Sequence, residues 1–195
     1  APRQTGENQR ELTKLKGTRI IPVAQRYANL QVPQLEQLFA DRAAEQGNLQ
    51  KALADANSLI ITAQTRPERA QTEISSNQTR IQQINATLKA GKEAGKTLSS
   101  DQRNQYNAEL AAINALINLR RQELAGNSQL QDLGNSQHDL LVEKTARLDQ
   151  EIQDLQTLIN QKRLAQSQET VTQQSLEAQK AGGSSLLATE SATNV

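Results

Sequence analysis

Residues 141–159 read LVEKTARLDQEIQDLQTLI, and most of their apolar side chains recur in alternating steps of three and four. The recurring positions, one of them polar, are Leu141, Thr145, Leu148, Ile152, Leu155 and Ile159. This period is the seam of a helix that packs against other helices, and the charged and amide side chains between the seam positions favour water. The pattern predicts one long helix from about Ser128 to about Gln179, on the order of 70 Å in length.

The composition of the whole chain fits long helices better than a globular core. Its 195 residues are 35% hydrophobic, with one Phe, two Tyr and neither Trp nor Met, and the mean hydropathy is -0.70. Aromatic side chains normally supply much of a globular core, whereas Ala, Leu, Gln, Glu, Lys and Arg are typical of long helices. We therefore predict an all-α fold of elongated antiparallel helical hairpins that form a coiled-coil bundle.

The charge balance argues against a nucleic-acid partner. The formal net charge is +1, and acids and bases alternate along the predicted helices, whereas a nucleic-acid-binding protein normally has a marked basic excess on one face. The segment before Val32 is modestly basic. A solvated linker is favoured there over a contact with phosphate or lipid headgroups.

Cysteine usage and apolar run length exclude several further classes. The chain has no cysteine, so it can form no disulfide, thiol nucleophile or zinc–thiolate site. Its apolar runs, such as Leu59–Ile61, fall far short of the roughly 18 residues that a bilayer span needs. From its first residues we expect no signal peptide within the sequence. We expect no membrane span in it, which suits a soluble protein, a mature form or a piece of something larger.

Proline, glycine and capping residues divide the chain into four predicted helices. Residues 1–31 are predicted to be an N-terminal linker or short helix, the helix covering about 7–16. Residues 32–180 are predicted to be an elongated helical bundle with helices at about 33–64, 67–89, 100–125 and 128–179. Residues 181–195, which begin AGGSS, are predicted to be a flexible C-terminal tail.

The two predicted breaks inside the bundle have local causes. Pro67 lacks an N–H and restricts the residue before it, so one helix should end at about Thr65 and another begin at the proline. Gly126 should end the third helix, because glycine is the usual helix terminator. Ser128 with Gln131 then has the pattern of a capping box that starts the fourth helix.

The segment 89–98 is rich in Gly and Lys and is predicted to be a turn between helices. The full Walker spacing is missing and no strand precedes it, which argues against a phosphate-binding loop. Ser99 with Gln102 follows as a capping box for the next helix.

Polar residues interrupt the apolar faces at several positions. Arg42 and Gln46 interrupt the first helix, and Arg120 intrudes on the seam of the third. Asn77 falls on the seam of the second helix. A buried Asn there would fix the helix register at some cost in stability, and a partly exposed seam is the alternative.

Candidate catalytic chemistry is sparse. His138 is the only histidine, and Asp139 is not expected to face it on a helix, so a solvated surface histidine is favoured over a weak pH sensor. Asp149, Glu151 and Asp154 are predicted to be salt-bridged and solvent-facing on a convex surface, whereas a two-carboxylate active site needs a cleft. We predict no catalytic, cofactor-binding or metal-binding residue, no cofactor and no enzymatic activity.

Three stretches resemble a known family, in order and at compatible spacing. They are TRPERAQ at 65–71, LAGNSQLQ at 124–131, and the helix from Ser136 to Arg163 that contains TARL at 145–148 and NQKR at 160–163. They resemble the N-terminal helical region, the MscS porin domain, of the potassium-dependent mechanosensitive channels (MscK/KefA). The resemblance covers roughly residues 35–171.

The resemblance implies a function that the residues alone do not give. In that family the region lies in the periplasm, ahead of the membrane helices and an MscS-like pore that releases solutes during hypo-osmotic shock. The chain would then be a non-catalytic periplasmic portion of a bacterial inner-membrane protein. Its partners would be the rest of its own channel polypeptide and neighbouring channel subunits in a homo-oligomer, together with cell-envelope components.

Two other classes of function stay open at this point. One is a free-standing periplasmic coiled-coil adaptor or chaperone-like scaffold that grips partners between helical arms. The other is a regulator whose helical arm docks on a cell-wall hydrolase. Adaptor arms usually present an apolar tip or inner face, and the predicted tip here is rich in Gly and Lys.

Overall fold

The computed structural model describes the backbone of residues 2–193 and the side chains of residues 2–183. Two long helices dominate it, and in chain order the elements are α1 (Pro2–Gly17), α2 (Val23–Arg26), α3 (Val32–Ala90), β1 (Lys92–Glu93), β2 (Lys96–Thr97) and α4 (Ser100–Thr193). The chain divides into two compact units: unit 1 is Ala1–Gly17 with Gln50–Glu143, and unit 2 is Thr18–Leu49 with Lys144–Val195. The prediction of an all-α fold built from paired long helices is confirmed.

In unit 1, α3 and α4 pack side by side in antiparallel directions. Residues later in α3 contact residues earlier in α4. Glu73 contacts Arg120, whereas Arg80 contacts Glu109. The buried core between the helices is Ile74, Ile84, Ile113 and Ile117, and the half-buried side chains packed against it are Ile81, Leu88, Tyr106, Leu110 and Leu124. Within each helix, all nine are spaced by three, four or seven residues, as the seam of a packed helix requires. The alternation of three and four therefore places this core correctly.

The helix α1 joins unit 1 through a polar contact. Asn8 is buried, and its Nδ2 donates a hydrogen bond of 3.2 Å to Oγ of the buried Ser136 on α4. Gln4 Nε2 in turn donates to Asn8 Oδ1 at 3.0 Å. Residues 2–17 are thus helical, whereas the sequence suggested a linker or a shorter helix over 7–16.

Neither α3 nor α4 breaks where the sequence predicted. Pro67 lies inside α3, and the stretch 126–128 lies inside α4. The predicted helices 33–64 and 67–89 are one helix, and so are 100–125 and 128–179. A side chain of α4 replaces the hydrogen-bond donor that Pro67 removes. A glycine within a helix costs only about 1 kcal/mol relative to alanine, which packing can outweigh.

The turn between α3 and α4 is a small β-hairpin. β1 and β2 pair antiparallel, with Lys92 opposite Thr97 and Glu93 opposite Lys96. Gly91 adopts a φ of 67°, a left-handed conformation that glycine reaches without strain. The predicted turn is therefore confirmed, and the two short strands within it were not predicted.

The capping box at the start of α4 is confirmed. Gln102 N–H donates to Ser99 Oγ at 3.1 Å, and Ser99 N–H donates to Gln102 Oε1 at 2.8 Å. The second predicted capping box, Ser128 with Gln131, caps nothing because both residues lie inside α4.

Unit 2 has its own apolar core. It packs the first part of α3 and the short helix α2 against α4, and its buried residues are Val23, Val32, Leu35, Leu155, Leu158 and Ile159. Leu35 and Leu155 are completely buried. Tyr27, Leu30, Leu38 and Phe39 pack against this cluster, so the only Phe of the chain contributes here.

The last part of α4 is exposed and continues through the predicted tail. Every side chain from 163 to 183 is exposed, and α4 extends to Thr193 where the sequence predicted a flexible segment from 181. Two glycines lower helix propensity by about 1 kcal/mol each without forbidding a helix, and no proline stops it. The last two residues of the predicted tail lie outside the described residues. Along residues 2–193, no helix carries an apolar stretch of the length that a membrane crossing requires.

Candidate functional site

Two of the family-like stretches meet in one buried layer of unit 1. Pro67 has no N–H, so the carbonyl oxygen of Ala63, four residues earlier in α3, lacks its normal intrahelical donor. Asn127 of α4 lies opposite and donates from Nδ2 to Ala63 O at 2.8 Å. The bond is buried, since Ala63 is 2% exposed and Asn127 is 9% exposed. We call this arrangement of Ala63, Pro67 and Asn127 the proline layer.

The proline layer is incompletely satisfied. Asn127 Oδ1 is buried and has no hydrogen-bond partner among the described residues. A buried polar atom without a partner typically costs about 1–3 kcal/mol. The carboxamide therefore compensates for the proline at a cost in stability, and an apolar residue at 127 would leave the Ala63 carbonyl without a donor instead.

Close helix contact beside the proline layer depends on a glycine. A Cβ added at Gly134 of α4 would lie 2.9 Å from Ile60 Cγ1 and 3.4 Å from the backbone nitrogen of Ile60 on α3. Real Cβ atoms do not approach a neighbour so closely without a shift. Gly134 therefore permits tight packing of the two helices at this point.

Arginine–glutamate pairs connect the same two helices. Arg120 of α4 donates from Nη1 to Glu123 Oε1 at 2.8 Å and from Nε to Glu73 of α3. Hydrogen bonding to Glu73 is the main cause that raises the pKa of Arg120. The seam intrusion that the sequence flagged at Arg120 is thus an interhelical contact.

A second pair, nearer the hairpin tip, is bidentate. Arg80 Nε and Nη2 donate to the two carboxylate oxygens of Glu109 at 2.7 and 3.1 Å. This contact lowers the pKa of Glu109 and raises the pKa of Arg80. Close to the tip, Tyr106 Oη donates to Glu93 Oε1 at 2.7 Å, which raises the pKa of Tyr106.

A groove of about 240 Å³ opens beside the proline layer. Three arginines dominate its lining, which includes Thr62, Thr65, Arg66, Arg69, Glu73 and Arg120. We call it the arginine groove. Two of its arginines, Arg66 and Arg69, come from the family-like stretch 65–71 and flank Pro67 in sequence.

In unit 2, Glu151 of α4 is the centre of a polar network. Arg26 Nη1, Tyr27 Oη and Arg42 Nε all donate to its Oε1, at 3.2, 3.1 and 3.3 Å. The side chain of Glu151 is only 17% exposed. Tyr27 and Glu151 together raise the pKa of Arg42. The prediction that Glu151 is salt-bridged is correct, but it does not face solvent freely.

The remaining family-like stretch also supplies contacts within unit 2. Lys162 Nζ donates to the carbonyl oxygens of Ala28 and Leu30 at 2.8 and 2.5 Å. These carbonyls belong to the connection between α2 and α3, so the lysine ties that connection to α4. Arg163 pairs with Glu36 of α3.

The other sequence candidates do not converge on a reactive centre. His138 is partly exposed, and its Nδ1 lies 3.5 Å from Asp139 Oδ1, so the expectation that these neighbours cannot face each other was wrong. The sequence-based assignment of no catalytic, cofactor or metal residue stays a prediction. In the part of the chain that the structure describes, no group of three or more His, Asp or Glu side chains is arranged to hold a metal ion.

The polar contacts between helices were missed by sequence reasoning, although a signal existed. Arg42, Gln46 and Arg120 each interrupt an apolar face, and each reaches an acid, Gln46 by donating to Asp149 at 2.5 Å. A polar residue at a seam position needs a partner when it is buried. Treating each interruption as half of a pair would have indicated these contacts.

Comparison with known proteins agrees with the resemblance. Residues 1–189 match the family described as "Mechanosensitive ion channel porin domain". The chain is 35% identical over 144 residues to the "Mechanosensitive channel MscK" of Escherichia coli (strain K12) and 37% identical over 124 residues to an "Uncharacterized MscS family protein" of Haemophilus influenzae.

These matches cover most of the chain and a small part of each relative. They include 73% and 64% of this chain but only 13% and 11% of the two relatives. No solved structure matches the chain. Since the family match extends over nearly the whole sequence, the chain belongs to the mechanosensitive ion channel porin domain family.

Proposed function

We propose that this chain is a non-catalytic periplasmic domain of an MscS-superfamily mechanosensitive channel of the MscK/KefA type. The observation that carries the proposal is the family match over residues 1–189. The similarity to MscK supports the same assignment. The match favours a channel domain over a free-standing adaptor. The arms of an adaptor usually present an apolar tip. The exposed hairpin tip here carries Lys92, Glu93 and Lys96.

The proposed role is to contribute to assembly or gating of the channel during hypo-osmotic shock. A domain can bias a gate only if it makes different contacts in the closed and open states. The paired helices of unit 1 are suited to transmitting such a bias, because buried isoleucines and two arginine–glutamate contacts hold them together. Its partners are the rest of the channel polypeptide and neighbouring subunits of a homo-oligomer, with cell-envelope components as further contacts.

Deletion in the full-length channel tests this role. Residues 33–180 are removed from the channel that contains this chain, and the membrane tension that opens the pore is measured by patch clamp. We expect the opening threshold, or the yield of assembled channel, to change. An unchanged threshold together with unchanged assembly would contradict the proposal.

A milder variant separates gating from gross loss of the domain. Asn127→Ala weakens the proline layer without deleting a helix, and Glu169→Gln alters an exposed position outside it. If the domain acts through the integrity of unit 1, Asn127→Ala shifts the opening threshold and Glu169→Gln does not. Domain stability is measured in parallel, so that a threshold shift can be compared with the loss of stability.

A further inference from the structure

Two cations of the arginine groove have no ion-pair partner among the described residues. Among residues 2–183, no carboxylate forms an ion pair with Arg66 or Arg69. The two side chains are three residues apart on α3, which places them next to each other on the helix surface. Both line the same groove. Unpaired guanidinium groups that converge on one groove are suited to binding an anion.

The third arginine offsets one of the two acidic charges of the groove. Arg120 is held by Glu73 and Glu123, so these two carboxylates and this guanidinium leave one negative charge between them. Arg66 and Arg69 add two positive charges. The net charge of the groove is therefore positive, and the two arginines that carry the excess are the ones free to bind.

The donors that the groove offers are guanidinium groups. The hydroxyls of Thr62 and Thr65 already donate to carbonyl oxygens of α3, at 2.9 and 3.0 Å. Two guanidinium forks present several N–H groups in fixed planes, a geometry that matches phosphate oxygens bidentately. A carboxylate has two oxygens and is satisfied by one fork, whereas a phosphate has enough oxygens to engage both.

We propose that the arginine groove binds a phosphate group, with Arg66 and Arg69 as its principal donors. The groove, about 240 Å³ in volume, has room for a phosphate and part of the molecule that carries it. The phosphate belongs either to a soluble compound or to an anionic lipid headgroup. This site goes beyond the proposed channel role, and binding is measured on the 195-residue chain without a channel.

Titration with inorganic phosphate at constant ionic strength, followed by calorimetry and amide NMR shifts, tests the proposal. We expect saturable binding that perturbs residues 62–70. The double variant Arg66→Gln/Arg69→Gln should weaken binding at least about tenfold, because both forks are lost. The matched control Lys51→Gln/Arg121→Gln removes the same charge at exposed positions and should change affinity less than about twofold.

Two further variants separate recognition from bulk charge. Arg66→Lys/Arg69→Lys keeps the charge but removes both forks, and we expect affinity between those of the parent and the Gln variant. Glu73→Gln removes a negative charge from the groove and one of the two acidic partners of Arg120, which should tighten binding about threefold. All variants are compared by circular dichroism, so that only folded proteins are interpreted.

The source of the phosphate is assigned with vesicles. Cosedimentation with phosphatidylglycerol vesicles, lost in Arg66→Gln/Arg69→Gln and absent with phosphatidylcholine, assigns an anionic lipid headgroup. Phosphate binding without vesicle binding assigns a soluble phosphate compound. The proposal is overturned if the parent chain does not bind millimolar phosphate, or if the Arg66→Gln/Arg69→Gln protein binds it as tightly as the Lys51→Gln/Arg121→Gln protein.

Discussion

Asn127 of α4 replaces the hydrogen-bond donor that Pro67 removes from α3. Its Nδ2 lies 2.8 Å from the carbonyl oxygen of Ala63, which the amide of residue 67 would otherwise reach. A proline inside a helix typically costs about 3 kcal/mol or more, partly through this lost bond. Supplying the donor from the neighbouring helix allows α3 to continue from Val32 to Ala90.

Removing the donor at Asn127 should destabilise the protein. Asn127→Ala leaves the Ala63 carbonyl buried without a partner, and we expect the free energy of unfolding to fall by about 1–3 kcal/mol. Urea denaturation followed by circular dichroism measures this change. The substitution also removes the buried, unpaired Asn127 Oδ1, which offsets part of this loss. We therefore expect the decrease in the free energy of unfolding to lie in the lower part of that range.

A double-mutant cycle tests whether Asn127 stabilises the protein because Pro67 lacks an N–H. In a Pro67→Ala background, the restored backbone N–H at position 67 can donate to Ala63 O, so Asn127→Ala should cost at least about 1 kcal/mol less than it does alone. Equal costs in the two backgrounds would show that Asn127 stabilises the protein in another way.

Two glycines of α4 should respond to alanine in opposite directions. Gly134→Ala forces a Cβ against Ile60, and we expect a loss of about 1–3 kcal/mol despite the better helix propensity. At Gly126 nothing lies within 4 Å of an added Cβ, so Gly126→Ala should gain up to about 1 kcal/mol. Thermal and urea denaturation of the two variants give the comparison. If both stabilise the protein, the close approach at Gly134 is not a constraint.

The Arg80–Glu109 pair should produce a pH dependence in the acid range. The pKa of Glu109 is below its ordinary value of 4.5 because Arg80 donates to the carboxylate. The folded state therefore binds its proton less readily than the unfolded state, and the contribution of the pair to stability is present above about pH 4.5. It is lost as the pH falls through the lowered pKa.

Replacement of the arginine tests this effect directly. In Arg80→Gln the pKa of Glu109 should rise toward its ordinary value of 4.5, and the fall in stability with acid should become shallower. NMR titration of the Glu109 side-chain carboxyl carbon measures the pKa. Arg121→Gln is the control. Arg121 is an exposed arginine on α4, the helix that carries Glu109, and its replacement should leave the pKa of Glu109 unchanged. An unaltered Glu109 titration in Arg80→Gln would contradict the assigned cause.

Glu151→Gln should loosen the segment around α2. The substitution removes the charge that attracts Arg26 and Arg42, and charge-assisted hydrogen bonds are stronger than neutral ones. Since both arginines are partly exposed, we expect a loss of about 1–2 kcal/mol. Amide hydrogen exchange over residues 23–30 should accelerate. Glu169→Gln, at an exposed position of α4, should change stability by less than about 0.5 kcal/mol. Comparable exchange rates in the two variants would show that Glu151 does not hold this segment.

The apolar positions were predictable from sequence because burial follows the helical period. The isoleucine core of unit 1, with Ile74, Ile84, Ile113 and Ile117, is the seam that the alternation of three and four indicates. The capping box of Ser99 and Gln102 was predictable for a similar reason, since both partners are local.

The continuity of the long helices was not predictable from local rules. Pro67 and Gly126 are helix-breaking signals when only their neighbours are considered, and the compensation for the proline comes from Asn127, which is remote in sequence. Tertiary contacts can outweigh local propensity. Arg66 and Arg69, which form no ion pair within the described part of the chain, were not predictable as a pair either, because a sequence does not show which charges will lack a partner.

The reversed order of the two arginine–glutamate pairs along α3 and α4 has a consequence for how the hairpin can change in length. Deleting one heptad from only one helix between the tip and Arg80–Glu109 would misalign both pairs by about 10 Å. Removing one heptad from each helix shortens the hairpin, and each arginine stays opposite its own glutamate. Insertions and deletions in related hairpins are therefore expected to occur as matched seven-residue steps on the two sides.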